Sequence, residues 1–159
     1  MTPRSQLTEE VVVTAFRAGN KTPVAHTDIG REELQSTGAG NDIPSLLKLT
    51  PSLVTTSESG TGLGYTNFRI RGTDPTRINV TMNGVPVNDA ESHGVFFVDL
   101  PDLASSVENI QIQRGVGTST NGSAAFGGSI NIKTTGLNPD PYGGINSAAG
   151  SFNTFKNTL

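Results

Sequence analysis

Four segments of this chain alternate apolar and polar residues, each over five or six residues and each bordered closely by glycine. They are Phe68-Arg69-Ile70-Arg71-Gly72, Ile78-Asn79-Val80-Thr81-Met82, Asn109-Ile110-Gln111-Ile112-Gln113-Arg114 and Ser129-Ile130-Asn131-Ile132-Lys133. A period of two sends successive side chains to opposite faces, so each segment reads as a short strand with one apolar face. Asn83-Gly84 after the second supplies the positive backbone angles of a type I′ turn, leading into Val85-Pro86-Val87.

Composition fits short strands joined by loops. The 159 residues include 19 Gly and 9 Pro, hydrophobic residues reach 33 %, and Trp and Cys are absent. That balance disfavours a helical bundle with a large dry core and suits a surface that meets water or another polar surface. A net charge of −3 gives no electrostatic footprint for nucleic acid. Without cysteine there is no disulfide framework, no thiolate metal ligand and no thiol nucleophile. No apolar run approaches the length of a membrane-spanning helix. Met1-Thr2-Pro3-Arg4 leads into polar sequence with no apolar core of a signal peptide. The chain is therefore either cytosolic or a piece whose targeting segment has been removed.

Between these strands the elements are short. Residues 1–23 read as a flexible arm, polar over 1–10 and closed by the breaker cluster Gly19 to Pro23. Val24 to Ile29 reads as a strand, and Gly30 to Leu34 as one or two helical turns. Asn41 and Asp42 are N-cap residues for a helix over Ile43 to Leu49, with Pro44 in its first turn and Ile43, Leu46, Leu47 and Leu49 as its apolar stripe. Pro51 stops it. Val54 to Thr56 is extended, Ser57 to Tyr65 a loop, Val95 to Leu100 an apolar stretch and Leu103 to Val107 a helical turn. The sum is a small α+β domain with a mixed sheet of four to five strands and short helices. Asn138-Pro139-Asp140-Pro141 then punctuates the chain. Tyr142 to Ala149 and Phe152 to Leu159 flank Gly150-Ser151 as a hairpin of weakly apolar strands, and the second runs to the last residue.

The order of these motifs resembles the plug domain of TonB-dependent outer-membrane receptors. Glu10-Val11-Val12-Val13-Thr14-Ala15 resembles the TonB box. Ile43 to Leu53, Arg69-Ile70-Arg71-Gly72, Val80 to Val87, Val107 to Gly115 and Gly122 to Lys133 follow in the family's order. Asn83-Gly84 stands where the family usually carries Asp-Gly, an equivalent turn. After Arg114-Gly115, Val116 and Asn121-Gly122 stand where the family often has Pro and a Tyr-Gly pair.

The resemblance implies a receptor of about 22 antiparallel strands whose lumen holds this domain. At ~9–11 residues per spanning strand such a barrel needs more than ~200 residues. Residues 142–159 suffice for about two strands. The expected layout is an arm over 1–23, a plug over 24–137 and the first strands of a truncated β-barrel over 138–159. The implied place is the bacterial outer membrane, with the plug inside the lumen and the N-terminus periplasmic. The implied function is gating of energy-coupled import of a scarce nutrient such as a ferric siderophore, haem or cobalamin. Its partners would be a TonB-type energy transducer, the chain's own C-terminal barrel, a metal-chelate or other small-molecule substrate, and the membrane through the barrel. The alternative is a stand-alone periplasmic or extracellular ligand-binding or signalling module.

Two readings stand for the valine-rich segment. It is an ordinary first strand, or it offers unpaired main-chain groups for β-augmentation by a partner's sheet edge, the role the resemblance assigns to Glu10, Val11, Val12, Val13, Thr14 and Ala15. Arg71 and Arg114 each end an alternating strand before a glycine, where an arginine is ordinarily solvated. The resemblance has them pair with barrel-wall carboxylates, partners that would leave both free in this piece alone. It also turns three loops toward substrate: Glu58 to Tyr65 with Ser59, Thr61 and Tyr65; Thr73 to Arg77 with Asp74 and Arg77; Asn88 to Gly94 with Asp89, Glu91 and His93.

Asp89-x-Glu91-x-His93, if extended, would align three metal-ligand types on one side. In a loop such groups are more often solvated or contact a polar ligand, so no metal site is assigned. His26 reads as an ordinary surface histidine. Gly117 to Gly122 has the spacing of a phosphate-cradling loop, but Ser123-Ala124 follows where Lys and a hydroxyl are needed. No catalytic constellation and no cofactor motif is present, so no enzyme activity is expected.

Overall fold

The computed structural model describes residues 17–19, 21–38, 41–62, 64–100, 102–117, 125–137, 140–151 and 153–158. Its centre is a five-stranded sheet built from β1 (His26–Gly30), β4 (Ile78–Met82), β5 (Val85–Pro86), β6 (Val107–Arg114) and β7 (Gly128–Thr134), in the spatial order β1-β6-β7-β4-β5. The β4–β7 pair is parallel and the other three pairs are antiparallel, so the sheet is mixed, as the alternation predicts. β1 begins two residues later than Val24, because Val24 closes a tight turn by donating its N–H to Thr22 O (2.8 Å).

Strict alternation gives the sheet two unlike faces. Ile29, Ile78, Val80, Ile110, Ile112, Ile130 and Ile132 lie on one and are buried. The other carries two cross-strand rows in register, His26–Gln113–Ser129–Asn79 and Asp28–Gln111–Asn131–Thr81. The six residues of these rows on β4, β6 and β7 are themselves buried, so this polar face is covered rather than bathed in solvent.

Short elements cover the apolar face. α1 (Arg31–Gly38) contributes Leu34, and α2 (Ile43–Leu46) contributes Ile43 and Leu46. α1 runs past the expected Leu34, with Glu32 and Glu33 in its first turn where the helix dipole favours them. α2 tightens after Leu46 into a 3₁₀ turn over Leu47–Leu49, ahead of Pro51. The tighter winding keeps Leu47 fully buried but rotates Leu49 outward to 73 % exposure, so Leu49 is not part of the apolar stripe. Asp42 occupies the N-cap with extended backbone, yet its carboxylate caps no helix amide and instead accepts from the Thr66 hydroxyl (3.3 Å).

A separate antiparallel hairpin, β2 (Leu53–Ser57) and β3 (Thr66–Ile70), supplies Leu53, Phe68 and Ile70 to the same core. The apolar stretch and the helical turn expected after Gly94 are 3₁₀ turns over Phe97–Asp99 and Leu103–Ser106. Phe97 meets Phe68 edge to face, with ring centroids 5.8 Å apart. Asn83 and Gly84 have φ of 50° and 82°, the handedness of the expected type I′ turn. Pro86 cannot donate to the ladder, and β5 is only two residues long.

The last elements are β8 (Asn146–Gly150) and β9 (Thr154–Thr158), an antiparallel hairpin that starts later than Tyr142. It touches the rest of the molecule through an ion pair from Lys156 to Asp102. Among the described residues no helix is long and apolar enough to cross a membrane.

Candidate functional site

Arg71 and Arg114 are brought together. Arg71 follows the last residue of β3 with φ of 51° and donates its backbone N–H to Ser52 O (2.8 Å). The Arg114 side chain reaches the same turn: Nη1 donates to Thr27 Oγ1 (3.1 Å) and to Pro51 O (3.4 Å), while Nη2 reaches His26 O (3.5 Å). Arg71 Nη1 lies against Gly115, the residue after Arg114. Among the described residues the ion pairs are His26–Asp28, Lys133–Glu108 and Lys156–Asp102, and neither arginine takes part in one. Arg114 is nonetheless not free, because neighbouring oxygens accept from both of its terminal nitrogens. His26 also departs from expectation: it is half-buried, with Nδ1 3.0 Å from Val24 O and Nε2 3.6 Å from Asp28.

Two of the three predicted loops converge at the end of the sheet where β4 and β7 begin. Thr73 to Arg77 leads directly into β4. Asp74 accepts from the Thr76 amide (3.1 Å) and hydroxyl (2.9 Å), and these bonds hold its carboxyl below the usual range. The Arg77 guanidinium carbon is 6.0 Å from the Phe126 ring centroid. Asn88 staples the third loop alongside. Its Oδ1 accepts from Val80 N (2.8 Å), and its Nδ2 donates to Ile78 O and His93 O (both 2.9 Å). The Glu58 to Tyr65 loop lies elsewhere, at the end of the β2–β3 hairpin remote from Arg71. Gly62 O ties it to the start of α2 by accepting from Asp42 N (3.2 Å) and Ser45 Oγ (3.0 Å). Within it the Ser59 hydroxyl bonds the hydroxyls of Ser57 (3.1 Å) and Thr61 (2.7 Å), and Tyr65 is exposed.

Asp89, Glu91 and His93 do not align on one side. Asp89 Oδ1 accepts from Glu91 N (3.1 Å), Ser92 N (2.7 Å) and Ser92 Oγ (2.8 Å), and Asp89 O accepts from His93 N (2.9 Å). These bonds curl the segment into a turn in which His93 has φ of 57°. Donation from Ser92, then from Glu91, pushes the Asp89 carboxyl below its ordinary value. Among the described residues no group of three or more metal-ligating side chains is assembled.

Glu10 to Ala15 lie outside the described residues. Close behind them, Arg17 and Ala18 depart from the expectation of a flexible arm. Ala18 is buried: its N–H donates to Gln111 Oε1 (2.7 Å), and Gln111 Nε2 donates back to Ala18 O (3.0 Å). Arg17 Nη2 donates to Asn131 O (3.1 Å), and burial pushes its guanidinium pKa down against the opposing pull of Asp28 and Glu108. Nothing in the local sequence marks these contacts, since Gln111 reads only as the polar half of an alternating strand. An open groove of about 440 Å³, lined by Arg31, Glu108, Thr135, Gly136 and Tyr142, sits at the end of the sheet away from Arg114.

The family profile described as "TonB-dependent Receptor Plug Domain" matches residues 18–129, well over half of the chain. The chain belongs to the plug domains of TonB-dependent receptors. A vitamin B12 transporter, BtuB, of Vibrio cholerae is 33 % identical over 133 residues, covering 82 % of this chain and 21 % of that protein. A probable TonB-dependent siderophore receptor, PirA, of Acinetobacter baumannii is 28 % identical over 127 residues, covering 74 % of this chain and 17 % of that protein. This plug therefore spans about a quarter or less of the relatives it matches. Among solved structures, the ferric yersiniabactin uptake receptor FyuA of Yersinia pestis superposes with a TM-score of 0.62 at 20 % identity, over 84 % of this chain and 20 % of that one. That likeness carries the fold. The relatives are transport receptors rather than enzymes.

Proposed function

We propose that this plug closes the lumen of a β-barrel in the bacterial outer membrane and gates energy-coupled import of a scarce, metal-containing nutrient. The observation that carries the reading is the plug-family match across residues 18–129 on a sheet whose second face is polar. Relatives named as transporters of vitamin B12 and receptors for siderophores support a metal-chelate substrate. Nothing among the relatives favours the stand-alone module.

In this reading Glu10 to Ala15 offer their main chain to a TonB-type transducer, and β8–β9 begin the barrel. Arg71 and Arg114, both without a carboxylate partner among the described residues, meet acidic groups on the barrel wall. The convergent loops present Asp74, Arg77, Asp89, Glu91 and His93 to substrate, with Ser59, Thr61 and Tyr65 on the separate hairpin loop. In this reading the work of the plug is binding and movement rather than catalysis. The receptor carrying Val12→Pro, which removes one main-chain donor from the docking segment, is expected to bind substrate and fail to import it. Normal import by that variant overturns the docking role.

A further inference from the structure

The two faces of the central sheet differ in what it costs to uncover them. Lifting a covering element from the isoleucine face exposes apolar surface to water, at a cost that grows with the area uncovered. Lifting one from the face of Gln111 and Asn131 exchanges protein–protein hydrogen bonds for bonds to water, so each bond lost carries only a modest net cost. Arg17 and Ala18 cover the second kind of face. They are also the first described residues behind Glu10 to Ala15, so tension applied to that segment reaches them before any other described contact.

We infer that Gln111 is a release latch: its carboxamide clasps the Ala18 peptide from both sides and sets how readily the N-terminal strap leaves the polar face of the sheet. The geometry supports this assignment in three ways. The clasp is reciprocal, with one bond donated and one accepted at 2.7 and 3.0 Å, so it fixes the strap in a single register. The carboxamide is itself held in place, since Gln113 Nε2 donates to Gln111 Oε1 (3.0 Å) and Gln111 Nε2 donates to Asp28 Oδ1 (2.8 Å). And the surroundings are incompletely satisfied: among the described residues nothing bonds the buried Arg17 Nε, Asn109 Oδ1, Ser129 Oγ and Asn131 Nδ2. Groups in that condition gain bonds when the strap lifts and water enters, which favours opening once the clasp lets go. Gln111 thus acts as a positioning residue whose loss frees the strap without touching the apolar core.

That this chain sits in an outer-membrane receptor and is pulled through Glu10 to Ala15 rests on the proposed function; the Gln111–Ala18 clasp does not. The test uses the receptor that carries this chain, in isolated outer membranes with no transducer present. Ala18→Cys places a thiol under the strap, and its reaction with a water-soluble maleimide reports lifting. Gln111→Met keeps the side-chain length and removes both bonds, so labelling should accelerate about tenfold or more, as loss of two net-favourable hydrogen bonds implies. Thr81→Val, on the same polar row but touching Asn131 rather than the strap, should leave the rate within about twofold. An unchanged rate in Gln111→Met, or equal acceleration in Thr81→Val, overturns the latch. Should Gln111→Met fail to assemble, hydrogen exchange of the Ala18 amide in the unaltered receptor decides instead. Protection is expected, and exchange at the free-peptide rate overturns the inference. Normal import by Val12→Pro would count against the docking reading and leave this result untouched.

Discussion

Arg71 packs so closely on Gly115 that a methyl group added to that glycine would stand 2.9 Å from the arginine's Nη1. Gly115 also has φ of 98°, which L residues avoid. Gly115→Ala should therefore destabilise the domain by about 1–3 kcal/mol and turn Arg71 away from Arg114. Denaturant unfolding of the 159-residue chain checks the first effect, and a fall in plug–barrel affinity checks the second.

Gly127 and Thr73 form a second close approach, because a Cβ on Gly127 would lie 2.0 Å from Thr73 Oγ1 and 2.7 Å from its Cβ. Gly127→Ala is expected to cost about 1–3 kcal/mol or more by forcing the Thr73 to Arg77 loop off the start of β7. Combined with Thr73→Gly it should cost less than the two single changes added together. A double-mutant cycle measures that coupling, and strict additivity would refute the steric origin.

Asn83 does two jobs in the β4–β5 turn. Its backbone adopts φ of 50°, and its side chain donates to Thr134 Oγ1 (2.8 Å) and accepts from Thr134 N (3.0 Å). Asn83→Gly keeps the first and loses the second; Asn83→Ala loses both. Unfolding free energies should fall in the order wild type, Asn83→Gly, Asn83→Ala, with Asn83→Ala down by about 1–3 kcal/mol by denaturant titration.

The Asn88 to Gly94 turn should loosen in acid. Hydrogen bonds lower the Asp89 pKa in the folded chain, so the unfolded chain binds protons at higher pH than the folded one. The stabilisation is present above the ordinary aspartate range and is lost as pH falls through the depressed folded value. Amide exchange at Glu91 to Gly94 is expected to speed up over that acid window. Asp89→Asn, whose Oδ1 still accepts, should abolish the transition.

What could be read from the sequence was local. Ile110-x-Ile112 and Ile130-x-Ile132 announce strands, and Asn83-Gly84 announces its turn, because alternation and positive φ are properties of adjacent residues. The spacing of Asp89, Glu91 and His93 would align them only on an extended strand, and they do not align because a short carboxylate bonds the amides two and three residues on. Pro51 marks the end of a helix but not the 3₁₀ tightening that expels Leu49. The meeting of Arg71 with Arg114, the burial of Gln111 and Asn131, and the docking of Ala18 all depend on strand order, which no local pattern encodes.

That strand order has a temporal meaning. β1 takes as its neighbour β6, so residues 26–30 wait for residues 109–113, and the parallel pairing of β4 waits for residues 128–132. A chain assembled from its N-terminus holds its first strand unmatched until most of the domain exists, a topology that favours slow closure. The central sheet of such a domain is complete only once β7, its last strand to be made, joins β4 to β6.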